Sequence, residues 1–345
     1  MLVSNFAAQA QDTPRPVVNT DGTIQGTLSS VPMSDYLSPE AKAQLTERLR
    51  IAPAAPSTDL EAFRKRSDDI AKVSLDAWLK TYPSKITDTK ISGVHVHVVE
   101  PEAGIDPKNK KIVLINAHMG GFVTGAKYGG QLEAVPLAGR GRVKVIAVDY
   151  RLAPEAKYPA ATEDMEAVYR EVLKTTKPEH IGIYGCSAGG TLIAESIANF
   201  QKKGLPLPAA AGIFCSGAMP TFWYGGDSGS VTPFMNGNNP QKANIVAATR
   251  GYFEGVDMND PLVTPGLYPD VLAKFPPTLV LAGTRDIAMS NAIMTHTRLL
   301  QAGARAELFI QEGLGHGHFF SFPGTPESKV AYDVIWDFFD RHLKR

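Results

Sequence analysis

The chain has 345 residues, its 35 lysines and arginines balance 35 aspartates and glutamates, and 43% of it is hydrophobic, so it holds either two domains or one large α/β domain with insertions, with a sizeable core in both cases. A formal net charge of zero leaves no basic surplus for a phosphate backbone or an anionic membrane, so nucleic acid is not an expected partner. No apolar run reaches the roughly 18 residues of a membrane span, and two cysteines, Cys186 and Cys215, cannot build a disulfide framework or a four-cysteine zinc site.

The first thirty or so residues lack helical or strand periodicity and read as an arm. Ala8-Gln9-Ala10 has the small-x-small form of a signal-peptide cleavage site, yet the stretch before it lacks a basic start and an apolar run of about 7 to 15 residues. The protein is exported if those residues are a signal remnant, and cytoplasmic otherwise. Ser38-Pro39-Glu40 opens a helix through about Arg50, with a capping hydroxyl followed by proline at the first helical position. A second helix follows Pro56, capped by Thr58 or Asp59. Leu60, Phe63, Ile70, Val73, Ala77 and Trp78 mark its apolar face, and Tyr82-Pro83 ends it.

From Lys85 onward strands alternate with helices. Val94 to Val99 alternates apolar and polar positions, whereas Lys111 to Asn116 and Val143 to Val148 are nearly solid apolar runs, as parallel strands covered on both faces should be. A helix over about Ala160 to Thr175, a strand at His180 to Tyr184, a helix from Ala188 to about Lys202 and a strand at Ala210 to Cys215 come next. After a long irregular stretch, a strand at Thr278 to Ala282, a helix from about Ser290 to Leu300, a strand at Ala306 to Ile310 and a helix over about Glu327 to Leu343 close the chain. The pattern predicts a doubly wound α/β sheet of about eight strands, antiparallel at its start and parallel afterwards. The expected organisation is an arm with cap helices over 1–84, a core of 85–217 and 276–345, and a cap insertion over 218–275, a span too long for an ordinary connection.

The strand ending at Tyr184 runs into Gly185-Cys186-Ser187-Ala188-Gly189-Gly190 and then a helix. In such a turn the glycines permit a tight backbone that lifts the serine hydroxyl above the carboxyl edge of the sheet, making Ser187 a nucleophile candidate. Asp286 and His316 follow the strands that start at Thr278 and Ala306, so they reach the same edge, and the chain order serine, aspartate, histidine suits an orienter and a base for that hydroxyl. His118-Met119-Gly120-Gly121-Phe122 follows another strand. Backbone amides of Gly120, Gly121 and Ala188 are the expected donors to the negative charge that acyl transfer places on a carbonyl oxygen.

His118-Met119-Gly120-Gly121, the run Asp149-Tyr150-Arg151-Leu152-Ala153-Pro154-Glu155, and Gly185-Cys186-Ser187-Ala188-Gly189-Gly190 together resemble the hormone-sensitive-lipase-like esterases, bacterial family IV of the α/β-hydrolase superfamily. The resemblance covers most of the chain from about Lys85. It implies an α/β-hydrolase fold with a helical cap, hydrolysis of small-molecule carboxylic esters with no cofactor and no metal, and short acyl chains. Two positions depart from the family pattern. Met119 replaces the first glycine of His-Gly-Gly-Gly, which leaves the two donor glycines in place, and Cys186 stands where an aspartate outside the triad is usual.

His318 is a second imidazole in the same loop, but the family's histidine after Gly-Leu-Gly favours His316 as base. Met119, Phe122, Phe222 and Trp223 are the expected substrate contacts. His95 and His97 share one face of a strand and are read as a solvent-facing edge, because no third metal ligand is apparent nearby. Arg151 and Glu155 are expected as a buried ion pair or hydrogen-bonded carboxylate supporting the oxyanion loop. The competing readings are an amide or carbamate hydrolase, and a ligand-binding receptor on the same fold; a homodimer is the oligomer considered.

Overall fold

The computed structural model describes residues 17–20, 24–25, 31–50, 59–219, 226–235 and 245–344. Met1–Asp35 and Tyr36–Arg345 are two compact units. In the first, Val17–Val18 and Ile24–Gln25 pair as a short antiparallel ribbon; Ala8-Gln9-Ala10 lies outside the described residues.

The second unit is built on eight strands: β1 (Ser84–Ile91), β2 (Val94–Pro101), β3 (Val113–Ala117), β4 (Lys144–Val148), β5 (Ile181–Cys186), β6 (Ala210–Phe214), β7 (Thr278–Arg285) and β8 (Ala306–Gly315). They lie in the order β8-β7-β6-β5-β3-β4-β2-β1, with β1, β2 and β4 paired antiparallel and all the rest parallel. β5 and β6 are buried at every position, as strands inside a parallel sheet covered on both faces must be.

Helices cover both faces of the sheet, as parallel strands require. Against one face, Met165, Val168 and Tyr169 of α4 (Ala160–Leu173) and Leu192, Ile197 and Phe200 of α5 (Ala188–Lys202) pack on Ile115, Ile183, Ile213 and Val280. Against the other, α3 (Gly129–Gly141) contributes Leu132, Val135 and Leu137, and the C-terminal helix (Pro326–His342) contributes Tyr332, Ile335, Trp336 and Phe339, over Leu114, Val145, Tyr184 and Leu281.

The first helix, α1 (Pro39–Arg50), starts as its sequence suggests, with Ser38 Oγ accepting from the Ala41 amide. Ser38 also donates from its own amide and hydroxyl to Glu327 at the start of the C-terminal helix. In α2 (Leu60–Thr81), Asp59 is the cap and accepts from the Ala62 amide at 3.1 Å.

The buried face of α2 differs from the expected one. Ala71, Leu75 and Trp78 are its buried residues, whereas Phe63, Ile70 and Val73 are 42%, 62% and 73% exposed. The face is chosen by polar partners that hydrophobic periodicity does not register. Arg64 donates to the Val123 and Ala153 carbonyls at 2.8 Å each, and Ser67 lies 3.1 Å from the Thr124 hydroxyl, so the inward stripe runs from Arg64 through Ser67 to Ala71. Trp78 completes it by donating to the Phe320 carbonyl at 2.8 Å.

Two further expectations are corrected. β2 is not an edge, because β1 pairs along its whole length, and His97 is only 5% exposed. Arg151 and Glu155 form no buried pair with each other. Both are exposed, Arg151 bound to Glu163 and Asp164 and Glu155 to Arg64.

Candidate active site

Three strand ends supply the site. β5 ends at Cys186, paired with Phe214 of β6, and the chain turns sharply at Ser187, whose backbone sits at φ 58° and ψ −121°. A non-glycine residue in that conformation is strained, and the strain is held by the Ser187 amide donating to the Phe214 carbonyl at 2.8 Å. The turn is possible because its neighbours are bare: a Cβ on Gly189 would stand 1.9 Å from the Ala117 carbonyl oxygen at the end of β3.

Asp286 and His316 are brought together by strand register. β7 and β8 run further than their apolar runs suggest, and after an irregularity between Gln311 and Gly315 their last pair is Gly315 with Arg285. The residues that follow, Asp286 and His316, therefore leave the sheet side by side. With His316 Nδ1 2.8 Å from Asp286 Oδ1, the ring proton belongs on Nδ1 and donates to the carboxylate, leaving Nε2 to accept from the Ser187 hydroxyl at 2.8 Å.

Asp286 is fully buried. Burial alone would raise its pKa, but the His316 imidazole, the Ala288 amide at 2.8 Å and the Cys215 thiol together outweigh it and hold the carboxyl below its ordinary range. Cys215 also accepts from the Gly317 amide at 3.3 Å, tying the histidine loop to the end of β6.

His318 has a different setting. It is buried, Nδ1 faces the Gly315 carbonyl at 2.9 Å, Nε2 faces Gln311, and burial drives its pKa down to about 4. Both nitrogens are thus occupied away from Ser187.

The loop after β3 has Gly120 at φ 121°, Gly121 at φ 64° and Phe122 at φ 61°. None of the Gly120, Gly121 and Ala188 amides donates to another group among the described residues. Ala188 is also the first residue of α5, whose amino end favours negative charge. The loop is braced from behind. The Tyr150 hydroxyl donates to the His118 carbonyl at 2.7 Å, and its ring stacks on the His118 imidazole at 4.1 Å.

Of the expected substrate contacts, Met119 is partly buried beside this loop. Phe122 is corrected: it is fully buried and stacks on Tyr252 at 4.5 Å with Phe253 edge-on, so it belongs to the core rather than to an open pocket. Its left-handed backbone turns the ring inward. Phe222 and Trp223 lie outside the described residues.

Two supporting residues escape sequence reasoning. Glu133 of α3 is buried and accepts from the Met119 amide at 2.8 Å and from Asn116 at 3.0 Å. The available signal was a lone acid in the apolar stretch Leu132 to Leu137. Burial pushes the Glu133 pKa up from 4.5 to about 8 despite those donors. Between these values the native state keeps a proton that the unfolded chain has released, so this group's contribution to stability shrinks as pH rises through that window. Thermal unfolding followed from about pH 5 to about pH 9 is expected to show the wild-type midpoint falling relative to that of Glu133→Gln, which carries no such proton.

Arg64 is the other. Besides the two carbonyls, its guanidinium grips Glu155 with two contacts of 2.7 Å, but Glu155 is mostly exposed and the pair itself adds little. The Val123 contact fixes α2 to the loop that carries Gly120 and Gly121, and the Ala153 contact fixes it to the run after β4. Arg64→Ala is expected to cost about 1 to 3 kcal/mol of stability, read by denaturant unfolding, with kcat lowered as the loop loosens. Arg64→Lys does not restore it, because an ammonium lacks the planar fork.

A family model described as alpha/beta hydrolase fold matches residues 114–320, well over half of the chain. The chain belongs to the α/β-hydrolase fold family. Within it, similar proteins include esterases and acetyl-hydrolases. Esterase LipI of Mycobacterium tuberculosis is 28% identical over 303 residues, covering 84% of this chain and 92% of that protein. An acetyl-hydrolase of Streptomyces hygroscopicus is 27% identical over 233 residues, covering 65% and 74%. Among solved structures, esterase E25 superposes with a TM-score of 0.78 at 27% identity, covering 93% of this chain and 99% of that one. An esterase from the bacterial hormone-sensitive lipase family superposes at 0.74 with 25% identity, covering 89% and 99%. This α/β-hydrolase therefore stands among the esterases of that family.

Proposed function

We propose that this α/β-hydrolase cleaves carboxylic esters through an acyl-enzyme formed on Ser187, with His316 as base, Asp286 as its orienting anion, and the Gly120, Gly121 and Ala188 amides as the oxyanion hole. The observation that carries the reading is the unbroken chain from the Ser187 hydroxyl through His316 to Asp286, 2.8 Å at each link. Ser187 Oγ attacks the ester carbonyl while His316 Nε2 takes its proton. The carbonyl oxygen becomes an oxyanion facing the free amides, and Asp286 stabilises the imidazolium. Collapse breaks the bond to the alcohol, which leaves with the proton from His316. A water then repeats the sequence on the acyl group and frees the acid and the serine.

In the same reading, helices α1 and α2 and the segment 218–275 form the cap over the core, and the acyl group is small. Support for short chains comes from the partly buried Met119 beside the oxyanion loop and from relatives named acetyl-hydrolase and, in Pseudomonas putida, ethyl acetate hydrolase. The test is stoichiometric labelling of Ser187 by a fluorophosphonate, with burst kinetics on nitrophenyl esters of graded acyl length. Labelling at Ser187 and the highest kcat/KM on acetate or butyrate are expected. Absence of labelling would remove the acyl-enzyme, and faster turnover of a long-chain ester would remove the short-acyl preference.

A further inference from the structure

Two groups of three histidine, cysteine or carboxylate side chains, among the described residues, bring one ligand atom each within 4.8 Å of one another. One is Cys215, Asp286 and His316 of the site above. The other is Asp88, His95 and His97, on the two outer strands and unrelated to the proposed catalytic chain.

We propose that Asp88, His95 and His97 form a binding site for a divalent transition-metal ion of the zinc type. Asp88 and His97 are partners in the β1–β2 register, and His95 lies two residues from His97 on the same face. The rings of His95 and His97 meet edge to face with centroids 5.0 Å apart.

One nitrogen of each ring and one oxygen of Asp88 converge within 4.8 Å of one another. His95 Nδ1 lies 2.9 Å from Asp149 Oδ2, so it carries the proton and donates, and Nε2 keeps its lone pair. This is the carboxylate–histidine pairing that orients metal ligands. His97 Nδ1 lies 2.5 Å from Asp88 Oδ1, the distance of a short hydrogen bond with the proton between them, and His97 Nε2 faces the Ala126 carbonyl at 3.4 Å.

A metal ion displaces that proton and joins His97 and Asp88 to the lone pair of His95. Two imidazoles and one carboxylate suit zinc, and the exposure of Asp88 and His95 leaves the fourth position to water. Lys90, opposite His95 in the register, is exposed on a flexible stem and can turn away.

The test is calorimetric titration of the full-length, chelator-treated protein with zinc chloride. One equivalent is expected to bind. Affinity should fall by at least about tenfold in Asp88→Asn and in His95→Ala, whose side chains are exposed enough for the fold to survive, and by about 10- to 100-fold in Asp149→Asn. His316→Ala, which dismantles the other cluster, should bind zinc as the wild type does. The proposal is overturned if the wild type binds no more tightly than His95→Ala, or if His316→Ala abolishes uptake while Asp88→Asn retains it. Neither result bears on the proposed ester hydrolysis.

Discussion

Ser187→Ala is expected to lower kcat by about a millionfold, His316→Ala by about as much, and the double substitution by little more. The reason for the non-additivity is geometric. In the proposed mechanism Ser187 and His316 act as one nucleophile joined by a 2.8 Å hydrogen bond, so removing either leaves the other with nothing to do. A residual acceleration of about a thousandfold over water should persist in all three variants, supplied by the free amides and by substrate binding. Steady-state kinetics on nitrophenyl acetate measure all of this. His318→Ala separates the two imidazoles: its pKa of about 4 and its contacts with Gly315 and Gln311 mark it as a buried neutral brace. That variant should lose thermal stability and keep most of its turnover. An active His316→Ala alongside an inactive His318→Ala would reverse the assignment of the base.

Much of this arrangement is legible in the amino-acid sequence, and the exceptions have physical causes. Interior parallel strands must be apolar on both faces, so β3 and β4 stand out as nearly solid runs, and the glycines around Ser187 mark a turn that larger residues would block. The edge strand β1 faces water along most of its length, and its Ser84-Lys85-Ile86-Thr87 start resembles a loop. Helix α3 is hidden by the opposite problem, because four glycines and Pro136 look like breakers. In the fold those glycines are flat contact surface: a Cβ on Gly139 would enter the Tyr82 ring, and one on Gly141 the Trp336 ring. Tertiary packing overrides propensity there. The bracing of the site is the least legible part. Arg64 and Glu133 act through backbone carbonyls and amides of loops far away in sequence, and periodicity carries no record of such partners. Phe122 shows the converse error. Its place beside Gly120 and Gly121 suggested a substrate contact, but its positive φ turns the ring into the core.

Asp286→Asn is expected to lower kcat by about ten-thousandfold while leaving the fold intact, as circular dichroism and thermal unfolding would check. Asp286 Oδ1 accepts from both His316 Nδ1 and the Ala288 amide, each at 2.8 Å, so the backbone donor requires an oxygen at that position. An asparagine therefore keeps its carbonyl toward His316, and its amide group takes the place of Oδ2. The ring stays oriented. The variant loses the negative charge that, in the proposed mechanism, stabilises the imidazolium formed as Ser187 attacks. That charge is secure in the wild type, because His316, Ala288 and Cys215 hold the Asp286 pKa below its ordinary value even in full burial. By the same linkage, the stability it contributes is present at neutral pH and is lost only as pH falls through that depressed value. If Asp286→Asn stayed within about tenfold of the wild type, orientation alone would account for the role of the carboxylate, and the charge would be dispensable.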